Sequence, residues 1–255
     1  MTPRLREEAC ALALACAFLT RVPLPVAIRA TPGRMAASLR YLPVIGALVG
    51  AAGAAVLLLA AQALPMTPAV LLSIASTCAL TGALHEDGLA DTLDGLGAAS
   101  PERALEIMHD SRIGTFGALG LGLAIALKAS ALAAMPLAAA AAALVAAHAA
   151  SRLSALAVIA TSTYARPAGT GGFTAAGVSR KAMTFAAAAV AALLLAITPA
   201  VGIGPVLGGL IGLAAGHLLP RALYERRLGG YTGDCLGATQ QLSEVGFYLG
   251  VLAWL

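Results

Sequence analysis

Charge is scarce in this sequence. Lys and Arg number 16 and Asp and Glu 12 in 255 residues, so 11% of the chain is charged and 60% is apolar. Soluble domains carry about 25% charged and about 45–50% apolar residues. That gap excludes an ordinary cytosolic enzyme and a disordered chain. Aromatic residues make up 4%, with one Trp, too few for the stacking platforms that single-stranded nucleic acid requires. The net charge of +4 therefore implies no nucleic-acid partner. The four cysteines, Cys10, Cys16, Cys78 and Cys235, form no C-x-x-C pair, which argues against a disulfide framework or a zinc site. Also missing are a G-x-x-x-x-G-K-[ST] loop, a G-x-G-x-x-G turn and a G-x-S-x-G elbow. No Ser or Cys stands beside a His as an evident nucleophile.

What the chain has instead is apolar runs of membrane-crossing length. Residues 42–64, 66–84, 115–135, 137–161, 182–200, 204–219 and 236–255 read as spans. The expected fold is all-α: a polytopic integral membrane bundle of about seven transmembrane helices. It is expected to form a single domain over residues 1–255. Ahead of the spans, Arg4 and Arg6 precede an apolar run from Ala9 to Leu19. The run is too short to cross a bilayer, Glu7 and Glu8 interrupt the basic stretch, and Arg21 follows at once. It reads as a retained helix lying at the interface rather than a cleaved signal. Gly and Ala dominate the spans, so close helix packing is expected.

Basic residues orient the chain. Fourteen of the sixteen fall in alternate loops, which should face the cytoplasm, and only Lys128 and Arg152 lie inside spans. All twelve acids fall on that same side or its edge. The polar chemistry is thus expected at the cytoplasmic face, in a site built from loops 85–115, 162–181 and 220–236.

The densest polar stretch is His85-Glu86-Asp87-Gly88-Leu89-Ala90-Asp91-Thr92-Leu93-Asp94-Gly95. Asp87, Asp91 and Asp94 stand at i, i+4 and i+7, within an arc of roughly 60° on a helix. A solvated polar face would give the same stripe, but acids are rare in this chain. Three aligned carboxylates repel one another unless a cation or proton neutralises them. Oxygen ligands suit Mg²⁺, which retains waters and takes up phosphate oxygens. Asp110 is a further candidate ligand where the chain re-enters the membrane. Arg112, and Lys128 and Arg152 within spans, are candidates for holding phosphate. Gly114 and Gly117 would admit a ligand close to the backbone. Ser100 should cap a short helix begun by Pro101, with Arg103 and Glu106 as an exposed pair. His148 and His217 read chiefly as packing residues. The glycine-rich run 164–173 could close over a substrate or merely connect two helices. Asp234 adds an acid at the mouth of the last span. Acids, Mg²⁺ and surrounding cations serve phosphoryl transfer by direct displacement.

The stretch 85–95 just quoted, Met108-His109-Asp110-Ser111-Arg112-Ile113-Gly114-Thr115 and Gly230-Tyr231-Thr232-Gly233-Asp234-Cys235-Leu236-Gly237-Ala238 resemble the cobalamin synthase family. Leu19-Thr20-Arg21-Val22-Pro23-Leu24-Pro25 and Tyr41-Leu42-Pro43-Val44-Ile45-Gly46 match it too, in the same order along nearly the whole chain. Position 86, often apolar in the family, is Glu here and receives no role. The resemblance implies a Mg²⁺-dependent transferase of the cytoplasmic (inner) membrane. It would join α-ribazole, or its 5′-phosphate, to adenosylcobinamide-GDP with release of GMP, forming adenosylcobalamin or its 5′-phosphate. Its partners would be those substrates, the lipid bilayer and other late cobalamin-pathway enzymes. On this reading Asp87, Asp91, Asp94 and Asp110 hold Mg²⁺, and Asp91, Asp94 or His85 serves the chemistry. Arg112, Lys128, Arg152 and Asp234 bind substrate. Asp91-x-x-Asp94-Gly95-x-x-Ala98 also opens like the CDP-alcohol phosphotransferase motif, which then fails at Ala99, Met108 and Arg112. A cation-coupled transporter is the non-enzymatic alternative, although no internal repeat accompanies the acids.

Overall fold

A computed structural model describes residues 2–23, 28–165 and 177–255. Eleven α-helices follow one another among them: α1 (Pro3–Leu19), α2 (Pro32–Ser38), α3 (Leu42–Ala60), α4 (Met66–Thr81), α5 (Leu84–Leu96), α6 (Pro101–Ile107), α7 (Thr115–Ala133), α8 (Leu137–Thr161), α9 (Arg180–Val201), α10 (Ile203–Leu228) and α11 (Gly233–Leu252). A single 3-10 turn, Leu39–Tyr41, joins α2 to α3. The described residues contain no strand; one isolated parallel bridge ties Tyr164 to Tyr231. The fold is thus the all-α, multi-pass membrane bundle that the apolar runs require.

Fewer helices are by themselves long and apolar enough to span than the about seven expected. Five helices are long and apolar enough to span, six if α4 and α5 are counted together as one bent crossing. Two expected spans account for the difference. The first, 66–84, ends early: α4 stops at Thr81 and the chain turns by 89° into α5. Gly82 and Ala83 both adopt left-handed backbone, with φ of 67° and 56°. For Ala that conformation costs roughly 1–2 kcal/mol, the kind of strain that collects at functional turns. The second, 236–255, does form a helix, but Thr239, Gln240, Gln241, Ser243 and Glu244 make α11 too polar to face lipid. All five side chains are buried in the bundle.

Burial runs through the middle of the molecule. Helix α8 packs against α3, α9 and α11, and α11 against α10, α5, α8 and α7. Small residues permit this. A Cβ at Gly212 would overlap the carbonyl oxygen of Gly246, so α10 and α11 lie backbone against backbone. Alanines of α8, among them Ala139, Ala140, Ala143 and Ala147, fill the core between α3, α9 and α11.

Helix α1 is held on the bundle by its acids. Arg34 Nη2 donates to Glu7 at 2.7 Å, and Glu8 accepts from Tyr41 Oη at 2.5 Å and pairs with Arg40. The two glutamates that interrupt the basic N-terminal stretch are therefore docking residues. They turn one side of α1 toward α2 and the start of α3, and Ala11, Ala15 and Leu19 are buried beneath it.

Candidate active site

The bend after α4 aims the start of α5 at α11. Helix α5 begins at Leu84, and Asp87 N closes its first turn on Ala83 O at 2.9 Å. His85, Gly88, Leu89, Thr92 and Gly95 form its buried face. The contact with α11 is made at glycine: a Cβ on Gly88 would stand 2.9 Å from Asp234 O and 3.2 Å from Gly237 Cα. This close approach brings the acids at the start of α5 beside the acid at the start of α11.

Between them lies a cavity of about 200 Å³. Four of the residues singled out in the sequence line it: His85 and Asp87 from α5, Arg152 from α8 and Asp234 from α11. The rest of its wall is mostly apolar, with Leu19 of α1, Leu42 of α3 and Ile159 of α8 among the contributors. A second hollow, lined by Thr20, Arg21, Thr81 and Gly82, shares Phe18, Leu84 and Asp87 with the first. Asp87 therefore belongs to both. Arg21 reaches this place because its backbone N–H donates to Leu80 O at 2.8 Å and its guanidinium lies over Gly82, where a Cβ would overlap Nε.

The other acids are engaged elsewhere. Asp94 Oδ2 accepts Gly114 N at 2.7 Å and Oδ1 accepts Gly117 N at 2.8 Å. The carboxylate thus caps α7 across a loop, satisfying donors that open every helix N-terminus. The group that Gly114 and Gly117 admit is the Asp94 carboxylate. Asp110 forms a clasp with Arg112, taking Nη2 at 2.6 Å, Nε at 3.0 Å and the backbone N–H at 3.1 Å. The Arg112 bonds hold the Asp110 carboxyl down to about 2. Asp91 follows Asp87 by one turn of α5 and is half-buried. Ser100 caps α6 and Arg103 pairs with Glu106 at 2.7 Å, both as expected.

Lys128 and Arg152 meet a partner that charge placement along the chain does not reveal. Glu244 lies in the bundle interior, 2% exposed, and not at the edge where the acids were expected. Lys128 Nζ is 2.8 Å from its Oε1, Arg152 Nη1 3.4 Å from its Oε2, and His148 Nε2 3.6 Å from Oε1. Gln240 Nε2 donates to Glu244 at 2.6 Å, and Lys128 also donates to Gln241 Oε1 at 2.6 Å. Gln241 Nε2 in turn donates to Glu86 at 2.9 Å, so the Glu at position 86 belongs to this interior network. Within the network, Arg152 Nε remains buried and without a hydrogen-bond partner. Arg152 is also the member that lines the cavity; Lys128 does not reach it.

Sequence reasoning missed Glu244 and Arg21 as site-related residues. A Glu within an apolar run was the available signal for the first. The Leu19-Thr20-Arg21 match was the signal for the second. The glycine-rich run 164–173 and Arg166 lie, from residue 166 onward, outside the described residues.

Among the described residues no three acid, His or Cys side chains converge as a ready-made metal cage. Mg²⁺ does not need one: it is commonly held by one or two carboxylates, with waters and substrate phosphates completing the shell. Asp87 and Asp234, hard oxygen donors on one cavity, fit that mode.

No solved structure matches the chain. Its sequence relatives cover nearly all of it. The adenosylcobinamide-GDP ribazoletransferase of Leptothrix cholodnii is 46% identical over 97% of this chain and 96% of its own. Those of Ralstonia pickettii and Ralstonia nicotianae are 41% and 42% identical, covering 98% and 100% of this chain and 98% and 99% of theirs. These relatives set aside the CDP-alcohol phosphotransferase and transporter alternatives. The sequence model for cobalamin-5-phosphate synthase matches residues 11–252, and the chain belongs to that family, enzymes of late cobalamin synthesis.

Proposed function

We propose that the cavity between α5, α8 and α11 is where this enzyme joins α-ribazole, or its 5′-phosphate, to adenosylcobinamide-GDP. The observation that carries the reading is the shared lining of one cavity by His85, Asp87, Arg152 and Asp234. Asp87 and Asp234, with Asp91 one turn along α5, would hold Mg²⁺. When bound, Mg²⁺ supplies a counter-charge for the diphosphate of the donor. Arg21, beside Asp87 in the adjoining hollow, binds a diphosphate oxygen. The ribose 3′-hydroxyl attacks the phosphorus next to cobinamide, the new O–P bond forms, and the bond to GMP breaks. His85, the one imidazole on the cavity wall, receives the hydroxyl proton. The apolar wall limits water, which would otherwise hydrolyse the donor.

The same reading sets the membrane and the sidedness. Fourteen of sixteen basic residues in alternate loops support a cytoplasmic membrane location with Asp87 and Asp234 facing the cytoplasm. Both substrates would then enter from the cytoplasm. Association with other late-pathway enzymes fits the shared intermediates.

The test uses purified protein in nanodiscs with adenosylcobinamide-GDP and α-ribazole 5′-phosphate, with and without Mg²⁺. GMP and a cobalamin product are expected with the metal. Asp87→Asn and Asp91→Asn are expected to lose at least 100-fold in turnover while keeping the wild-type melting profile. Wild-type turnover in both variants would overturn the site assignment.

A further inference from the structure

The cavity is larger and more apolar than a diphosphate needs. Its acids belong to α5 and to the start of α11, whereas its other wall is built from Leu19, Leu39, Leu42, Ala155 and Ile159. Along α8 the lining residues are Ile159, Ala155 and Arg152, so Arg152 lies about 10 Å further from the end of that helix than Ile159. This is an apolar chamber with one cationic side chain deep in its wall. Arg152 is 2% exposed and its Nε–H has no acceptor. That nitrogen is closed off from the cavity, so Arg152 contributes wall and charge there rather than a free donor.

We infer that this chamber seats the planar base of the incoming riboside. The inference rests on the reading of the acidic rim as the reaction site.

Three properties favour this occupant over other parts of the substrates. The first is size. An apolar cavity of about 150 Å³ takes up benzene, so about 200 Å³ suits a benzimidazole and excludes a corrin macrocycle. The second is polarity. Guanine carries several donors and acceptors that the leucine, isoleucine and alanine wall would leave unpaired, each at a cost. A benzimidazole riboside has a single unsubstituted ring nitrogen, so little of its base would be left unpaired against that wall. The third is connection: the chamber opens beside Asp87 and Asp234, so a ribose attached to a seated base would emerge at the acids. Leu42, Ala155 and Ile159 then determine which bases are accepted.

The experiment fills and enlarges the chamber in full-length protein in nanodiscs. Ala155→Leu is expected to raise KM for α-ribazole 5′-phosphate at least tenfold, leaving KM for adenosylcobinamide-GDP and kcat within twofold. Calorimetry with α-ribazole alone should show the same weakening of Kd. Leu42→Ala is expected to admit a riboside of a wider, tricyclic base that the wild type rejects, which keeps the idea testable should Ala155→Leu fail to fold. Asp87→Asn serves as the control. If Asp87→Asn abolishes turnover and Ala155→Leu instead raises only KM for adenosylcobinamide-GDP, or changes neither KM, the chamber assignment is wrong and the rim assignment stands. If Asp87→Asn turns over like the wild type, the rim assignment falls and takes this one with it.

Discussion

Gly88 and Gly237 meet where α5 crosses α11, and both positions are tight: a Cβ on Gly237 would stand 3.1 Å from His85 O and 3.2 Å from Gly88 Cα. The contact fixes how far Asp87 lies from Asp234. Gly88→Val is expected to wedge the helices apart and lower kcat at least 100-fold, the scale of a displacement of about 1 Å in a reacting geometry. The bundle core at α3, α8 and α9 should be unaffected. Turnover alongside a thermal melt in nanodiscs checks this; activity near wild type would show that the two acids do not act together.

Asp94 and Asp87 should separate cleanly when each is substituted. Asp94 accepts two backbone N–H groups at the start of α7. Its loss resembles loss of a helix cap, typically about 1 kcal/mol and up to about 2. Asp94→Ala is expected to lower the melting temperature and leave the Mg²⁺ concentration for half-maximal activity unchanged. Asp87→Asn should do the reverse. A Mg²⁺ titration that shifts in Asp94→Ala would restore Asp94 as a metal ligand.

Glu244 is the shared counter-ion of Lys128 and Arg152 inside the bundle. Removing one member of a buried ion pair typically costs about 3–5 kcal/mol, because the remaining charge is left uncompensated. Glu244→Leu is expected to fall in that range by denaturation in mixed micelles. Adding Lys128→Met should recover part of the loss by removing one orphaned cation. An additive double variant would mean that the two side chains do not interact in solution.

The Asp110–Arg112 clasp carries a pH prediction. The side-chain bond from Arg112, then the backbone bond from the same residue, holds the Asp110 carboxyl at about 2. An acid with a lowered folded-state pKa contributes fully above its unfolded value near 4 and loses that contribution as pH falls through about 2. Between pH 5 and pH 9 the clasp is constant, so Asp110→Asn should give a kcat/KM profile parallel to wild type over that window. Because both side chains are partly or largely exposed, at 38% and 87%, the melting temperature should barely move.

The helices were legible where composition alone decides them. Helix α8 is bounded by Pro136 and covers 137–161 as the apolar run does, and Ser100 caps α6 through its own side chain. Legibility failed where tertiary contacts overrule composition. Helix α10 was expected to stop at residue 219, yet it continues through Pro220 to Leu228, helped by an Arg221–Glu225 pair at 2.9 Å. The bend at Gly82 and Ala83 has no signature, because Ala rarely adopts left-handed backbone. The Asp stripe was visible as a stripe, but spacing on one helix cannot say that Asp94 is taken up by amides twenty residues further on. Lys128 and Arg152 were recognisable as intramembrane cations; their counter-ion, on the last helix, was not.

Helix α1 supplies Leu19 to the cavity and α11 supplies Asp234. The chamber is therefore closed by α1 and α11, two helices more than two hundred residues apart in sequence. Until α11 has been made and inserted, the membrane holds an incomplete bundle with Glu86, Lys128 and Arg152 still awaiting their partners. A ribosome-stalled chain lacking α11 has no place to gather the reacting groups. Competence therefore waits for α11 to be in place, since contacts of such wide sequence separation are slow to form.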